Sequence, residues 1–258
     1  MTVFAGARRL EALEALCEGN PLIVPVRVDV TDRSSLEAAR DQILAQCDGV
    51  DIVVCNAGVS RIGPIVEMSL ANAQAMIDTN VTGVVSTVQV FAPAMMERRS
   101  GCIAVTGSVT STLPSPWAGV YCTTKAAVAM LCRTLRLELE PFNVRVCHLY
   151  TGAVTSAISK NSSQHSGIDR FDGGGSLYSN FSRAIRRRSI ISQSQDAGSI
   201  PARAYARRVV PQLLRKGGAR REIVAGGKAL YLKVATMFAP ERFVERKVRK
   251  IFMTKNDA

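Results

Sequence analysis

Tyr121 and Lys125, four residues apart, stand at the head of an apolar-periodic stretch that runs from Ala126 to Leu139. On a helix that spacing puts both side chains on one face, one turn from each other. A phenol is a poor proton donor or acceptor at neutral pH, since its ordinary pKa is about 10. A fixed ammonium nearby favours the phenolate and lowers that value. Ser108 follows the apolar run Cys102-Ile103-Ala104-Val105, so a strand end would deliver its hydroxyl beside the phenol. Proton donor, tuner and orienter are what carbonyl reduction requires of a protein when a cofactor supplies the hydride.

These side chains need a frame, and the chain supplies one in order. Thr2 to Ala7 reads as a short strand, followed by a helix from Arg8 to about Cys17. Leu22 to Val28 reads as a second strand, ended by Asp29-Val30-Thr31-Asp32. Ser34 or Ser35 then caps a helix through about Gln46, with Leu36, Ala39, Ile43 and Leu44 inward. Asp51 to Cys55 is a continuous apolar strand of the kind buried on both faces, and it stops at Asn56-Ala57-Gly58. Met68 to Arg99 is one long helical region, and Val144 to Leu149 is a further buried strand. Between Ser108 and Lys125 a Pro-rich loop leads into the helix that carries Tyr121. This alternation predicts an α/β fold with a doubly wound parallel sheet.

Tyr-x-x-x-Lys, preceded at thirteen residues by a serine, resembles the signature of the short-chain dehydrogenase/reductase family. The resemblance implies a Rossmann-like fold and places the other stretches. Asn56-Ala57-Gly58 is similar to the family's turn along the cofactor, and Asp29-Val30 to the pair that contacts adenine. Asn80, within Asp78-Thr79-Asn80-Val81-Thr82-Gly83, is similar to the asparagine that kinks a helix and anchors a water in the proton relay. Gly152 and Thr155 match the loop that touches the nicotinamide, although Thr151 stands where the family usually has proline. Arg8 falls where the family reads the adenosine ribose. No acid accompanies it, and a guanidinium suits a 2′-phosphate, so NADP(H) is the expected cofactor. In the family's terms Ser108 holds the substrate oxygen, Tyr121 protonates it, and Lys125 binds the nicotinamide ribose while depressing the Tyr121 pKa.

The family pattern opens with a strand, a glycine-rich turn and a helix that bind the pyrophosphate. The stretch beginning at Thr2 matches the strand after that unit, so the fold is expected to lack the first strand and the glycine-rich turn. Gly173-Gly174-Gly175 reads as flexible loop, and Gly226-Gly227-Lys228 lacks the upstream glycine of a P-loop. Either the gene has been read incompletely, or this is a genuine short form that has lost cofactor binding and serves as a non-catalytic binding or regulatory protein.

At 258 residues, 47% hydrophobic and 21% charged, the chain is expected to be one globular domain. Within it, residues 156–258 form the substrate-binding and basic C-terminal part. Residues 1–182 hold 14 Lys+Arg against 16 Asp+Glu, or −2, so the whole excess of the net +12 lies in the last third. There a helix runs from Ala204 to Lys216, and Lys228 to Phe252 mixes apolar residues with a basic face. This tail is similar to those of family members acting on lipidic ketones, such as acyldihydroxyacetone-phosphate, steroid and retinoid enzymes. A small lipidic carbonyl or alcohol is therefore the expected substrate, an anionic membrane surface a possible partner, and a homodimer is compatible with the family. Nucleic acid is not expected, because no binding motif accompanies the charge. Seven cysteines without a C-x-x-C pair argue against a disulfide framework or a metal site. With no secretory signal visible, the expected location is intracellular, either cytoplasmic or at the periphery of the endoplasmic reticulum. His148 and His165 read as structural or solvated.

Overall fold

A computed structural model describes residues 1–173, 175–215 and 218–254, apart from the side chain of Lys160. The first half runs β1 (Val3–Ala7), α1 (Glu14–Cys17), β2 (Ile23–Arg27), α2 (Arg33–Leu44), β3 (Ile52–Cys55), α3 (Leu70–Ile77) and α4 (Gly83–Glu97). It continues through β4 (Gly101–Thr106), α5 (Gly119–Leu139), β5 (Val144–Thr151), β6 (Val154–Thr155), α6 (Ala157–His165) and α7 (Ser182–Ile190). The chain closes with β7 (Ile200–Pro201), α8 (Ala202–Leu213), β8 (Glu222–Ala225), α9 (Ala229–Phe238) and α10 (Glu241–Phe252).

Every ladder between these strands is parallel. β3-β4-β5-β8 form a four-stranded sheet, β1 pairs with β2, and β6 pairs with β7. The central strands β4 and β5 are buried because helices cover both faces. α4 and α5 close one face through Val88, Met95, Val128 and Cys132, and α8 closes the other through Val209 and Leu213. β1 and β3 are edge strands of separate sheets. What joins them is helix packing: α2 lies on α4, Phe91 and Val50 pack against Val26, Ala39 and Ile43, and Arg33 donates to Gln89 at 2.8 Å.

Several expectations change here. Val54 is 48% exposed, so β3 is not buried throughout as its sequence suggests. The helix expected from Arg8 is a 3-10 turn, Leu10–Leu13, followed by the single turn α1. Its apolar residues Leu10 and Leu16 face solvent, so it lacks the packing that sustains a longer helix. The cap of α2 is Asp32, whose carboxylate accepts from the Ser34 and Ser35 amides, rather than either serine. The helical region expected over 68–99, with a kink at Asn80, comprises α3 and α4 joined by a π turn, Asp78–Thr82, that contains Asn80. The C-terminal stretch breaks at Ala239-Pro240, because proline cannot continue α9 but suits the start of α10. Of two further expectations, Gly174 in the glycine loop and Lys216 at the end of a helix lie outside the described residues.

Candidate active site

Parallel strands bring their carboxyl ends to one rim, and the loops that leave that rim carry the residues singled out above. Arg8 follows β1, Asp29 and Val30 follow β2, Asn56 to Gly58 follow β3, Ser108 follows β4, and Gly152 follows β5. Within this row the contacts are direct. The Lys125 ammonium donates to the Thr106 carbonyl at 2.8 Å, and the Thr106 hydroxyl donates to Asn56 Oδ1 at 3.0 Å. A Cβ on Gly58 would sit 3.4 Å from Asn80 Oδ1 and 3.9 Å from Lys125 Nζ, so bare backbone borders both.

Asn80 fixes the geometry from the π turn. Its Oδ1 accepts the Val59 amide at 2.8 Å; its Nδ2 donates to the Val59 carbonyl at 2.9 Å and to Thr124 Oγ1 at 3.1 Å. One side chain thus ties α4, the loop after β3 and α5 together, one residue before Lys125. A π turn displaces the backbone by a residue, which lets an asparagine leave the helix ladder and reach sideways.

Ser108 is buried and accepts from the Thr110 amide at 3.1 Å and the Thr110 hydroxyl at 2.9 Å. Tyr121 lies half-buried, with Lys125 Nζ 5.8 Å from its ring centre. Its pKa is raised by burial, against a downward pull from the Arg188 charge and a Ser108 hydrogen bond. The expectation that Lys125 depresses this phenol is therefore not what the site displays. Lys125 is itself desolvated, its own pKa brought down to about 8, and its ammonium faces the Thr106 carbonyl instead.

The remaining expected residues engage their own surroundings. Asp29 Oδ1 accepts from the Thr31 amide and hydroxyl, and Val30 packs on Gly83 at the start of α4. Gly152 is demanded by packing, since a Cβ there would meet the Gly227 carbonyl at 2.2 Å. Thr155 bonds Ser199 at 3.0 Å and touches none of the catalytic group among the described contacts. Arg8 is exposed and makes no ion pair among the described residues. Two arginines escaped sequence reasoning. Arg61 lies just past Gly58, close enough to Arg8 for the two charges to repel, and its Nε is buried without a partner. Arg188 comes from α7, sixty-odd residues beyond Tyr121, and nothing in the local sequence signals its return. His148 is buried between Gly107 and Glu222, its pKa driven down to about 4 by burial; it is a neutral core histidine.

Comparison with known proteins bears on this arrangement. The family model described as short chain dehydrogenase matches residues 1–167. Human 17-beta-hydroxysteroid dehydrogenase type 1 is 35% identical over 167 residues, covering 64% of this chain. The chain spans 50% of the length of that relative. The NADPH-dependent 1-acyldihydroxyacetone phosphate reductase of Saccharomyces cerevisiae is 28% identical over 255 residues, 97% of this chain and 82% of its own. Among solved structures, a short-chain dehydrogenase from Streptomyces avermitilis superposes with a TM-score of 0.76, at 23% identity, over 96% of this chain and 86% of its own; at that identity the likeness speaks to the fold. With the family model covering well over half of its residues, the chain belongs to the short-chain dehydrogenase family.

Proposed function

We propose that the protein is an NADP(H)-dependent oxidoreductase that interconverts a lipidic ketone and its alcohol, with Tyr121 as the general acid and base. The observation that carries this reading is the convergence of Ser108, Asn80, Tyr121 and Lys125 at the carboxyl ends of parallel strands. The nicotinamide coenzyme supplies or accepts the hydride when bound. Arg8 offers an unpaired guanidinium to a 2′-phosphate, Asp29 and Val30 flank the adenine position, and Asn56, Ala57 and Gly58 give an open backbone edge. Gly152 and Thr155 would border the nicotinamide. This donor set fits the phosphorylated coenzyme, since no acid stands beside Arg8 to repel the phosphate.

Ser108 donates to the substrate oxygen, and Tyr121 hands its proton to that oxygen as negative charge develops there. A phenol raised by burial is a reluctant anion, so it holds its proton until an acceptor arrives. Lys125 binds the nicotinamide ribose, and its charge steadies the phenolate left behind. Asn80, pinned to Val59, positions the relay water through which the proton is replaced.

Two further features support a lipidic substrate met at an intracellular membrane surface. α9 presents Leu230, Tyr231, Val234, Met237 and Phe238 to solvent, each at least 48% exposed. α10 adds the exposed cations Arg242, Arg246, Lys247, Arg249 and Lys250. No helix among the described residues is long and apolar enough to cross a membrane, so the contact would be peripheral.

The direct test is Tyr121→Phe, assayed with NADPH and a long-chain ketone. Turnover should fall at least about a hundredfold, the lower end of acid–base contributions, with an unchanged fold by circular dichroism. Near-normal turnover would remove Tyr121 as the proton donor. A second reading, a non-catalytic binding protein, is favoured by the separation of β1 and β3 into different sheets. Ligand binding without any NADPH-dependent turnover would select it.

A further inference from the structure

α7 carries four arginines, and the acids around it are already engaged. Arg186 pairs with Asp169 at 2.9 Å and with Asp172, and Arg187 lies 3.6 Å from Asp196. Arg188 is different. It is 9% exposed, and among the described residues it has no carboxylate partner. Its Nε donates to Ser115 Oγ at 2.7 Å, and its guanidinium lies 5.9 Å from the centre of the Phe252 ring. No described acceptor meets either Nη group, yet neither is among the fully enclosed unpartnered atoms. The guanidinium, 9% exposed, thus keeps its Nη groups without a described acceptor.

The surroundings make this placement expensive. Ile62, Trp117, Ile185, Val248 and Phe252 form one buried apolar cluster, with Tyr121 and Cys122 packed against it. A guanidinium in such a setting without a counter-charge is destabilising, and proteins retain unpaired buried charge chiefly where a ligand completes it. Ser115 lies in the loop between Ser108 and Tyr121, so the bond that anchors Arg188 also fixes it to the catalytic segment. Arg188 and Tyr121 each lie within electrostatic reach of the other.

We propose that Arg188 receives an anionic group of the substrate, a phosphate or a carboxylate, and so selects anionic lipidic ketones over neutral ones. The inference rests on the reductase reading for what happens to the ketone, but not for what binds. Bidentate pairing with an oxyanion would use the guanidinium's Nη groups, with the Trp117–Phe252 cluster fixing the guanidinium from behind. The charge already present near Tyr121 then serves a second purpose, because the anion it holds is positioned relative to the reacting carbonyl.

Trp117 makes the test direct. It is the only tryptophan in the chain, it is 6% exposed, and its Nε1 donates to the Phe252 carbonyl at 2.8 Å. Its fluorescence therefore reports binding without coenzyme or turnover. Residues 1–258 are titrated with two matched pairs: an acylated dihydroxyacetone phosphate and its dephosphorylated form, and a long-chain keto acid and its methyl ester. The anionic member should bind at least about tenfold more tightly in one pair or both, as expected for charge-assisted hydrogen bonds. The pair that discriminates identifies phosphate or carboxylate as the source. Arg188→Leu should abolish the discrimination while leaving the neutral member within about twofold. Should that variant fail to fold, Arg188→Lys keeps the charge without the planar fork and should reduce the discrimination severalfold at unchanged neutral affinity.

No preference in the parent protein overturns the proposal, as does a preference that survives loss of the guanidinium. Equal weakening of both members by either variant would make Arg188 a structural residue and also overturn it. Selective binding of an anion that NADPH then fails to reduce would leave Arg188 as assigned and sink the reductase reading instead.

Discussion

Lys125 is 5% exposed and its ammonium is held by a neutral acceptor, the Thr106 carbonyl, so desolvation takes its pKa from 10.5 down to about 8. Between those values the unfolded chain keeps a proton that the folded protein releases. Stability contributed by Lys125 is therefore full above pH 10.5 and is lost as the pH falls toward 8, by up to ~3 kcal/mol. Lys125→Met removes this dependence. In urea denaturation at the two ends of that window, the stability of the parent protein minus that of Lys125→Met should rise with pH. A flat difference would mean that Lys125 is solvated and unavailable to steady a phenolate. At this scale the sequence was legible wherever chemistry is local. The spacing of Ser108, Tyr121 and Lys125 is written along one strand, loop and helix, and those three do converge. Arg188 and Arg61 were not legible, because they meet the site through tertiary contacts. The direction of the Tyr121 shift was not legible either, since burial, which no spacing encodes, outweighs the neighbouring charges.

Elements explain why a single asparagine matters. The stretch from Met68 to Arg99 reads as one helical region with a kink at Asn80, and the π turn at Asp78–Thr82 falls there. What that turn serves is visible in what Asn80 touches. Its amide satisfies both backbone groups of Val59, which has no ladder partner beyond the end of β3. Asn80→Ala would leave that part-buried amide and carbonyl without partners, at about 1–3 kcal/mol each. Chemical denaturation should show a loss of roughly 2–6 kcal/mol by the same measure, together with reduced turnover. A change within about 0.5 kcal/mol, the scale of an ordinary surface substitution, would mean that water replaces the amide and that the π turn does not depend on it. The strands themselves were more legible than the helix breaks. Ile103 to Val105 is apolar throughout and Val146 to Leu149 is apolar but for His148, because both faces are covered, and the two strands lie at the centre of the four-stranded sheet. Val54 misled for a related reason: its apolar run has the sequence of a central strand, but one of its faces is open.

Charge and exposed apolar surface coincide only when the whole molecule is considered. The charge excess is plain in the sequence, whereas the face that accompanies it depends on how α9 and α10 dock. Val248 and Phe252 turn α10 inward, which leaves Phe243, Arg246, Lys247, Lys250 and Ile251 together on its outer side. Arg246 and Lys247 lie 5.7 Å and 5.5 Å from the Phe243 ring. Beside them α9 keeps only Ala229 fully buried and turns Leu230, Val234, Met237 and Phe238 outward. Apolar side chains flanked by cations suit an anionic bilayer, where rings and aliphatic groups enter the interface and lysines meet headgroups. Vesicles containing phosphatidylserine should therefore sediment the protein, whereas vesicles of phosphatidylcholine alone should bind it far less. Because each surface Lys or Arg contributes only about 1 kcal/mol, raising the salt should weaken binding steeply. Lys247→Glu with Lys250→Glu should act through that salt-sensitive part. Leu230→Ser with Phe238→Ser should weaken binding at every salt concentration, because it removes the insertion itself. Equal sedimentation with neutral and anionic vesicles would rule out the electrostatic half of this reading. Failure of the serine pair to change binding would show that α9 faces something other than lipid.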